Sequence, residues 1–409
     1  MTPHKRKILL LDNGREWGGG TNSMLELLKR IDRNQFDITC CFYHNYSRGN
    51  NETIEQILGS LTIPVTFIPQ RRQPLWAKIS KEIVRTLLFF SKESRKKAIH
   101  FVDRRWRIIP NAHKIGALLQ SGQFDLLYMN NQPSTNTEGY LAARPLNIPV
   151  VQHCRIDPVL NRQLVAMLNR DCEAIICVSH GVSHTLQRHG VHQHLCHTVS
   201  NAIDIHQPLP DRTAVRQALQ IAPETFVFGS IGSLIARKAN HHTLSALGRF
   251  HRLYPHADWK MLIVGTGPEQ ANLAQLAEKE QIADRIVFTG FKNNALDFLA
   301  AFDTFILASQ SEGLPRVVLE AMLVNTAVIG SRVTGTAELI EHNQTGLLFE
   351  YGDIAELTQQ LIALWENREL RQKLTDTAAG KVREHYAIEN YIQGVETVLA
   401  NVIQEKSHA

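Results

Sequence analysis

The sequence predicts an α/β protein of two doubly wound parallel-sheet domains, and three observations carry that expectation. A chain of 409 residues is longer than one ordinary core can serve. From Phe226 onward, short apolar runs alternate with helical stretches, the pattern of a parallel sheet covered by helices on both faces. Several of those runs end in a glycine-containing or polar loop that leads directly into a helix, and this is where open α/β sheets hold ligands. Composition agrees, with 44% hydrophobic and 20% charged residues. No apolar run approaches the roughly 18 residues of a spanning helix. The N-terminus passes from a basic start straight into a strand and lacks a small-residue cleavage site, so the expectation is a soluble protein facing the cytosol.

In chain order, Lys7 to Leu11 reads as a strand and Asp12 to Gly20 as a loop containing Gly14, Gly18, Gly19 and Gly20. Thr21 or Asn22 is placed to cap a helix that runs to about Ile31. Strand, glycine loop and helix together suit an anion, although a tight turn without a ligand is the alternative. The glycines lack the G-x-G-x-x-G spacing of a dinucleotide site, which argues against NAD. Asp37 to Tyr43 and Val65 to Ile68 are further strands.

A basic segment follows. Residues 71–107 hold twelve Lys or Arg (Arg71 and Arg72 among them) against three acidic residues, a local +9 that leaves −4 for the remainder of a chain at +5. Trp76, Ile79, Ile83, Leu87, Leu88, Phe89 and Phe90 interleave with those cations at roughly helical spacing. A basic amphipathic helix with aromatics suits an anionic membrane surface. A solvated basic face is the alternative, and no recognised nucleic-acid module accompanies the patch.

Asp125 to Met129, Ile148 to Gln152 and Ala174 to Ser179 are strands, and His153 follows the second of them. Six histidines between His180 and His197 fit no zinc spacing, and the six cysteines form no CxxC pair, so neither a metal nor a disulfide framework is expected. Asn201-Ala-Ile-Asp204, followed by Pro208 and Pro210, marks the linker.

The second domain alternates from strand Phe226 to Ile231, through a helix from about Asn240, strand Met261 to Val264 with Gly265 and Gly267 behind it, and strand Ile286 to Phe288 with Gly290 and Phe291 behind it. Arg237 and Lys238 stand in the loop after the first of these strands, where cations can neutralise charge building on a leaving diphosphate. Thr304 to Ala308 is a buried strand. After it Ser311, Glu312 and Gly313 turn the chain, Pro315 suits a first helical turn, and Val317 to Met322 continue as helix. Glu312 and Glu320 flank that helix N-terminus; the plain reading is a dipole partner and a solvated helix residue.

Glu312-x7-Glu320 across a strand, loop and helix near the end of a second α/β domain resembles the retaining glycosyltransferases of family 4. Those enzymes have the GT-B fold, two Rossmann-like domains facing across a cleft, and the resemblance spans most of the chain. It implies a nucleotide-sugar donor and a glycan or lipid-linked acceptor, with Glu312, Gly313 and Leu314 holding the donor sugar and Glu320 gripping the ribose. The loop Gly232-Ser-Leu-Ile-Ala-Arg237-Lys238-Ala is similar to the family's Gly-Arg-x5-Lys-Gly phosphate grip, with Lys238 as its lysine. Ser233 stands where the arginine is common and Ala239 where the glycine is, so Arg237 or Arg316 has to supply the second cation. The resemblance makes His153, in PVVQHCR, a donor-sugar contact at the cleft rim, and it brings Gly19, Gly20, Gly265, Gly267 and Phe291 to the cleft as well. Lys238, Glu312 and His153 are then the catalytic residues. It divides the chain into an acceptor-side domain 1–203, a donor domain 204–385 and a helix 386–409 crossing back to the first domain. No Asp-x-Asp pair is present to carry a cation, and neither metal nor cofactor is expected. The alternatives are a catalytically silent sugar- or partner-binding subunit, for which Ser233 argues, and a nucleotide-sugar epimerase on the same fold.

Overall fold

A computed structural model describes residues 5–14, 17–49, 52–69 and 73–407. Arg71 and Arg72 of the basic segment lie outside the described residues. The first half of the chain supplies strands β1 (Arg6–Asp12), β2 (Phe36–Phe42), β3 (Ser47–Arg48), β4 (Glu52–Thr53), β5 (Val65–Phe67), β6 (Leu126–Met129), β7 (Val150–Cys154), β8 (Ala174–Cys177) and β9 (Cys196–Thr198). Seven of them form a parallel sheet in the order β5-β2-β1-β6-β7-β8-β9, while β3 and β4 pair antiparallel with each other. The second half supplies β10 (Phe226–Ile231), β11 (Trp259–Val264), β12 (Ile286–Gly290), β13 (Thr304–Leu307), β14 (Ala327–Ser331) and β15 (Leu347–Phe349), a parallel sheet in the order β12-β11-β10-β13-β14-β15.

The central strands are apolar because helices cover both faces; Ile8 to Leu11 in β1 are wholly buried. Each sheet reverses its winding once, between β1 and β6 in the first and between β10 and β13 in the second. At such a reversal the loops at the strands' carboxyl ends diverge and leave a crevice. In the second sheet those loops are Gly232 to Ala239 and Ala308 to Pro315.

One apolar core runs through both halves, taking Cys154, Val182 and Ile203 together with Leu314, Val318 and Leu339. The helix Ile388–Ser407 returns to the first sheet, where Tyr391, Val395 and Leu399 are buried with Ile8, Leu10, Met24 and Leu28. Its Glu396 Oε1 accepts a 2.7 Å hydrogen bond from the Asp32 amide.

Local structure departs from expectation in four places. The first helix is Gly19–Arg30, with Gly18 in the N-cap position and Thr21 and Asn22 inside it; glycine costs only a few tenths of a kcal/mol there. Thr21 Oγ1 instead meets Tyr46 Oη at 3.3 Å. Pro315 stands at the N-cap of the helix Arg316–Leu323, not in its first turn. The basic segment forms a hairpin of two helices, Leu75–Leu87 and Lys92–Asp103, because Ser91 caps the second one afresh through the Ser94 amide. β7 runs through His153, which is 0% exposed and therefore does not stand at the rim beyond the strand. Polar His153 conceals the strand's end in the sequence, yet it and Gln152 find buried partners in Tyr128 and Tyr140.

Candidate functional site

The crevice of the second sheet is built on one ion pair. A short helical turn, Ala236–Lys238, follows β10 and carries two adjacent cations to the loop after β13. Lys238 Nζ lies 2.6 Å from Glu312 Oε1, and both side chains are largely buried. Arg237 Nη1 approaches the same oxygen at 3.5 Å but donates to the Ser311 carbonyl at 2.5 Å, and the Gln310 amide donates back to the Arg237 carbonyl at 2.8 Å. Arg237 thus ties the two loops together. Ala239 sits in the left-handed region at φ 47°, a conformation glycine adopts freely and alanine at a cost of about 1 kcal/mol.

Burial alone would raise the Glu312 carboxyl, but the Lys238 ammonium and the Arg237 guanidinium outweigh it and hold the group below its ordinary value. A carboxylate depressed in the folded state adds stability above its unfolded pKa and loses it as pH falls through the lower folded value. Glu312→Gln should therefore be less stable than wild type at neutral pH. That gap should narrow as pH falls below the ordinary carboxyl value of 4.5, as urea melts between about pH 7 and about pH 3 would read. A gap that is constant across the range would mean that the ion pair contributes nothing.

Backbones meet closely around this pair. Gly265 has φ 139°, and a Cβ there would lie 2.0 Å from the Gly232 carbonyl oxygen, so the loop after β11 fits against the loop after β10 only as glycine. Gly267 backs onto Leu234 in the same way, and Ser233 is half-buried between them. Gly313 is pressed between Arg155, whose carbonyl oxygen would be 2.3 Å from an added Cβ, and Gly335. The Leu314 carbonyl accepts from Asn201 Nδ2 at 2.9 Å, so the linker itself grips this loop.

Glu320, one turn into the helix Arg316–Leu323, is not a solvated residue. Its side chain is 21% exposed and 3.7 Å from Arg316 Nη2. Burial raises its pKa, partly offset by Arg316 and reinforced by Glu26 of the helix Gly19–Arg30 on the facing domain. Arg316 is equally enclosed, and its Nε and Nη1 find no hydrogen-bond partner among the described residues. Phe291 packs against Gly49 of the facing domain, where a Cβ would lie 2.3 Å from the ring.

On the first sheet's side the floor of the crevice is a buried polar layer. His153 Nδ1 shares a hydrogen bond with the Tyr128 hydroxyl, while its Nε2 has no partner among the described residues. Burial, with the Arg155 guanidinium nearby, drives this imidazole far below its ordinary pKa, so it is neutral. Arg155 Nε donates to Asn130 Oδ1, its Nη2 donates to the Tyr391 hydroxyl at 3.0 Å, and Asn130 in turn donates to Asp12. Gly20 lies directly over this layer, 3.3 Å from the Arg155 side chain for an added Cβ, and Gly19 is exposed beside it. The structure therefore brings Gly20, Arg155 and Gly313 together, and Glu312 and Lys238 with them. Asp12, Asn130, Arg155 and Tyr391 carry no motif of their own. What signals Asp12, Asn130 and Arg155 is a polar residue at or just beyond the end of an apolar strand.

All six cysteines are free, and five of them are buried. Among the described residues no three His, Cys, Asp or Glu side chains gather as metal ligands would, the histidines from His180 to His197 included.

This arrangement is found in known proteins. Residues 17–207 match the family model described as Glycosyltransferase Family 4, and residues 211–381 match that of Glycosyl transferases group 1. The chain is 35% identical over 156 residues to N-acetyl-alpha-D-glucosaminyl L-malate synthase of Bacillus anthracis, covering 38% of this chain and 41% of that protein. It is 28% identical over 178 residues to the lipopolysaccharide core biosynthesis glycosyltransferase LpsD of Rhizobium meliloti, covering 44% and 50%. The chain spans about half the length of the curated relatives it matches. Among solved structures, Anabaena HepE in complex with UDP and glucose superposes with a TM-score of 0.77 at 22% identity over 97% of this chain and 99% of that one. With its two Rossmann-like sheets, its crevice at both winding reversals and two family models side by side over nearly its whole length, the chain belongs to the family 4 glycosyltransferases of the GT-B fold.

Proposed function

We propose that the chain is a retaining transferase that moves a hexosyl or N-acetylhexosaminyl group from a nucleotide-sugar to a glycan or lipid-linked acceptor in cell-surface polysaccharide or lipopolysaccharide synthesis. The observation that carries this reading is the Lys238–Glu312 pair, 2.6 Å apart at the winding reversal of the second sheet. Relatives named for lipopolysaccharide core synthesis, and structures holding UDP-glucose, support the acceptor and donor classes. Residues 1–203 form the acceptor side and 204–385 the donor side, and within 386–409 the helix Ile388–Ser407 returns to the first domain.

In this reading Lys238 neutralises the diphosphate as the glycosidic bond breaks, a preorganised charge acting where negative charge develops. Glu312, Gly313 and Leu314 hold the sugar and Glu320 the ribose. Gly265, Gly267, Ser233 and Phe291 shape the donor pocket, and Gly19 and Gly20 close its far wall, with His153 in the buried layer beneath. Arg237 is occupied by the Ser311 carbonyl, so Arg316, enclosed and with two nitrogens that find no partner among the described residues, is the cation we assign in place of the arginine that Ser233 replaces. The attacking hydroxyl enters on the face the diphosphate leaves, which preserves the anomeric configuration. Because charge compensation comes from side chains, neither metal nor cofactor is assigned. The site of action is the cytoplasm, at the inner face of the plasma membrane.

The test is nucleoside diphosphate release across a panel of nucleotide-sugars with a lipid extract as acceptor. One donor should give acceptor-dependent release with an α product from an α donor, and turnover should persist in EDTA. Release with no donor would overturn the enzymatic reading. A loss of turnover in EDTA that added metal restores would overturn the electrostatic assignment alone.

A further inference from the structure

Eight of the fourteen large apolar side chains that the described residues expose lie between Leu75 and Phe101, a concentration the fold does not require. On the helix Leu75–Leu87 they are Leu75, Trp76, Ile79, Ile83 and Leu87, with exposures from 45% to 74%. At about 100° per residue these five fall within a stripe of about 120°. The opposite face does the packing: Ala77 is fully buried, and Lys81 reaches Asp103 at 2.5 Å and lies 5.6 Å above the Trp106 ring. This inverts an ordinary surface helix, whose apolar stripe faces the core. Phe89 and Phe90, at the turn into the next helix, are 76% and 73% exposed, and Phe101 is 65% exposed on that helix.

Cations accompany the apolar stripe, although Arg85 pairs with Glu82 and Lys97 with Glu93. Lys78, Arg85, Lys96, Lys97, Arg104 and Arg105 are exposed on the same hairpin. The hairpin is also firmly rooted, because Arg107 Nη1 lies 2.9 Å from Glu138 Oε1, a buried carboxylate on the helix Thr137–Ala143 beside β6.

We propose that residues 75–108 form a docking element that inserts the stripe and the Phe89–Phe90 tip into the interfacial layer of an anionic phospholipid bilayer, with the cations at headgroup level. A bilayer offers an apolar phase for the stripe and negative charge for its rim at one surface. A second copy of this chain offers only the first, since a two-fold contact would set one basic rim against another. Insertion is shallow and reversible, because no helix among the described residues is long and apolar enough to cross a membrane. The proposal stands apart from the chemistry of the cleft.

Sedimentation with vesicles tests it. The full chain should bind phosphatidylglycerol-containing vesicles at low salt, release as salt screens the headgroups, and leave pure phosphatidylcholine vesicles in suspension. Two double variants, Phe89→Ser with Phe90→Ser and Ile79→Asn with Ile83→Asn, should each lower partitioning at least about tenfold with the far-UV dichroism unchanged. Lys96→Glu with Lys97→Glu and Arg104→Glu should abolish the dependence on anionic lipid. Lipids brominated in their acyl chains should quench the emission that Trp76 contributes, taken as the difference between wild type and Trp76→Phe. Equal binding to both vesicle types, no binding to anionic vesicles at low salt, or wild-type partitioning by both apolar variants would overturn the proposal. So would self-association that the apolar substitutions abolish in a chain that ignores vesicles.

Discussion

Replacing Lys238 by alanine is expected to cut turnover at least about tenfold, and up to the roughly hundredfold that loss of one preorganised charge costs when charge develops beside it. The loss should fall on kcat more than on KM, because the ammonium is needed most when the diphosphate carries its full leaving charge. Glu312→Ala should lower turnover by a comparable factor for a different reason: the carboxylate both orients Lys238 at 2.6 Å and stands at the mouth of the loop that receives the sugar. The fold should survive both changes, since the pair lies at the edge of the crevice. Lys238→Ala should still cost about 1 to 3 kcal/mol in urea melts, because Glu312 is left enclosed with Arg237 as its nearest cation at 3.5 Å. Wild-type turnover in either folded variant would remove that residue from the site.

The second large effect is steric. A methyl group at position 335 would lie 2.0 Å from the Gly313 carbonyl oxygen and 2.8 Å from the Leu314 nitrogen, closer than such atoms can approach. The donor loop cannot simply retreat, because Gly313 is already against the backbone of Arg155 on its other side. Gly335→Ala should therefore displace the loop, raise KM for the donor at least about tenfold and lower stability by about 1 to 3 kcal/mol. Gly380 makes the control: it lies in the middle of the helix Arg368–His385 with nothing within 4 Å of an added Cβ, so alanine there should leave KM alone and raise stability slightly. An unchanged donor KM in folded Gly335→Ala would show that the loop has room the geometry denies it.

The sheets are visible in the sequence wherever burial on both faces forces an unbroken apolar run, as in Ile8 to Leu11 of β1 and Phe305 to Leu307 of β13. The expected strand Ile148 to Gln152 stops short of the carboxyl end of β7 because polar His153 ends the run, and hydrophobicity cannot register that Tyr128 satisfies it inside the core. β14 and β15 carry no loop motif to draw attention to them. Of the crevice, Glu312, Lys238 and Gly313 could be found because a local spacing carries them. Arg155 carries only its place just beyond a strand end, since its meaning depends on Tyr391 lying 236 residues away and on Gly313 of the other domain approaching its carbonyl. The two faces of the basic segment were also hidden: periodicity reveals a stripe but not whether that stripe turns toward the protein or away from it.

The helix Ile388–Ser407 has a consequence for biosynthesis. Tyr391, Val395 and Leu399 occupy positions in the core of the first sheet, and the Tyr391 hydroxyl is shared between Arg155 and the Ser23 carbonyl. While a ribosome is still translating residues 226–349, that core is open at the place these side chains will fill, and Arg155 Nη2 lacks its Tyr391 partner. The second sheet, built wholly from residues 226–349, has all its strands before the first sheet is closed. The usual order of a nascent chain, in which the domain made first is finished first, is thus reversed here. A stall or truncation between residues 350 and 387 would release a chain whose later sheet has all its strands and whose earlier one exposes an apolar groove to the chaperones.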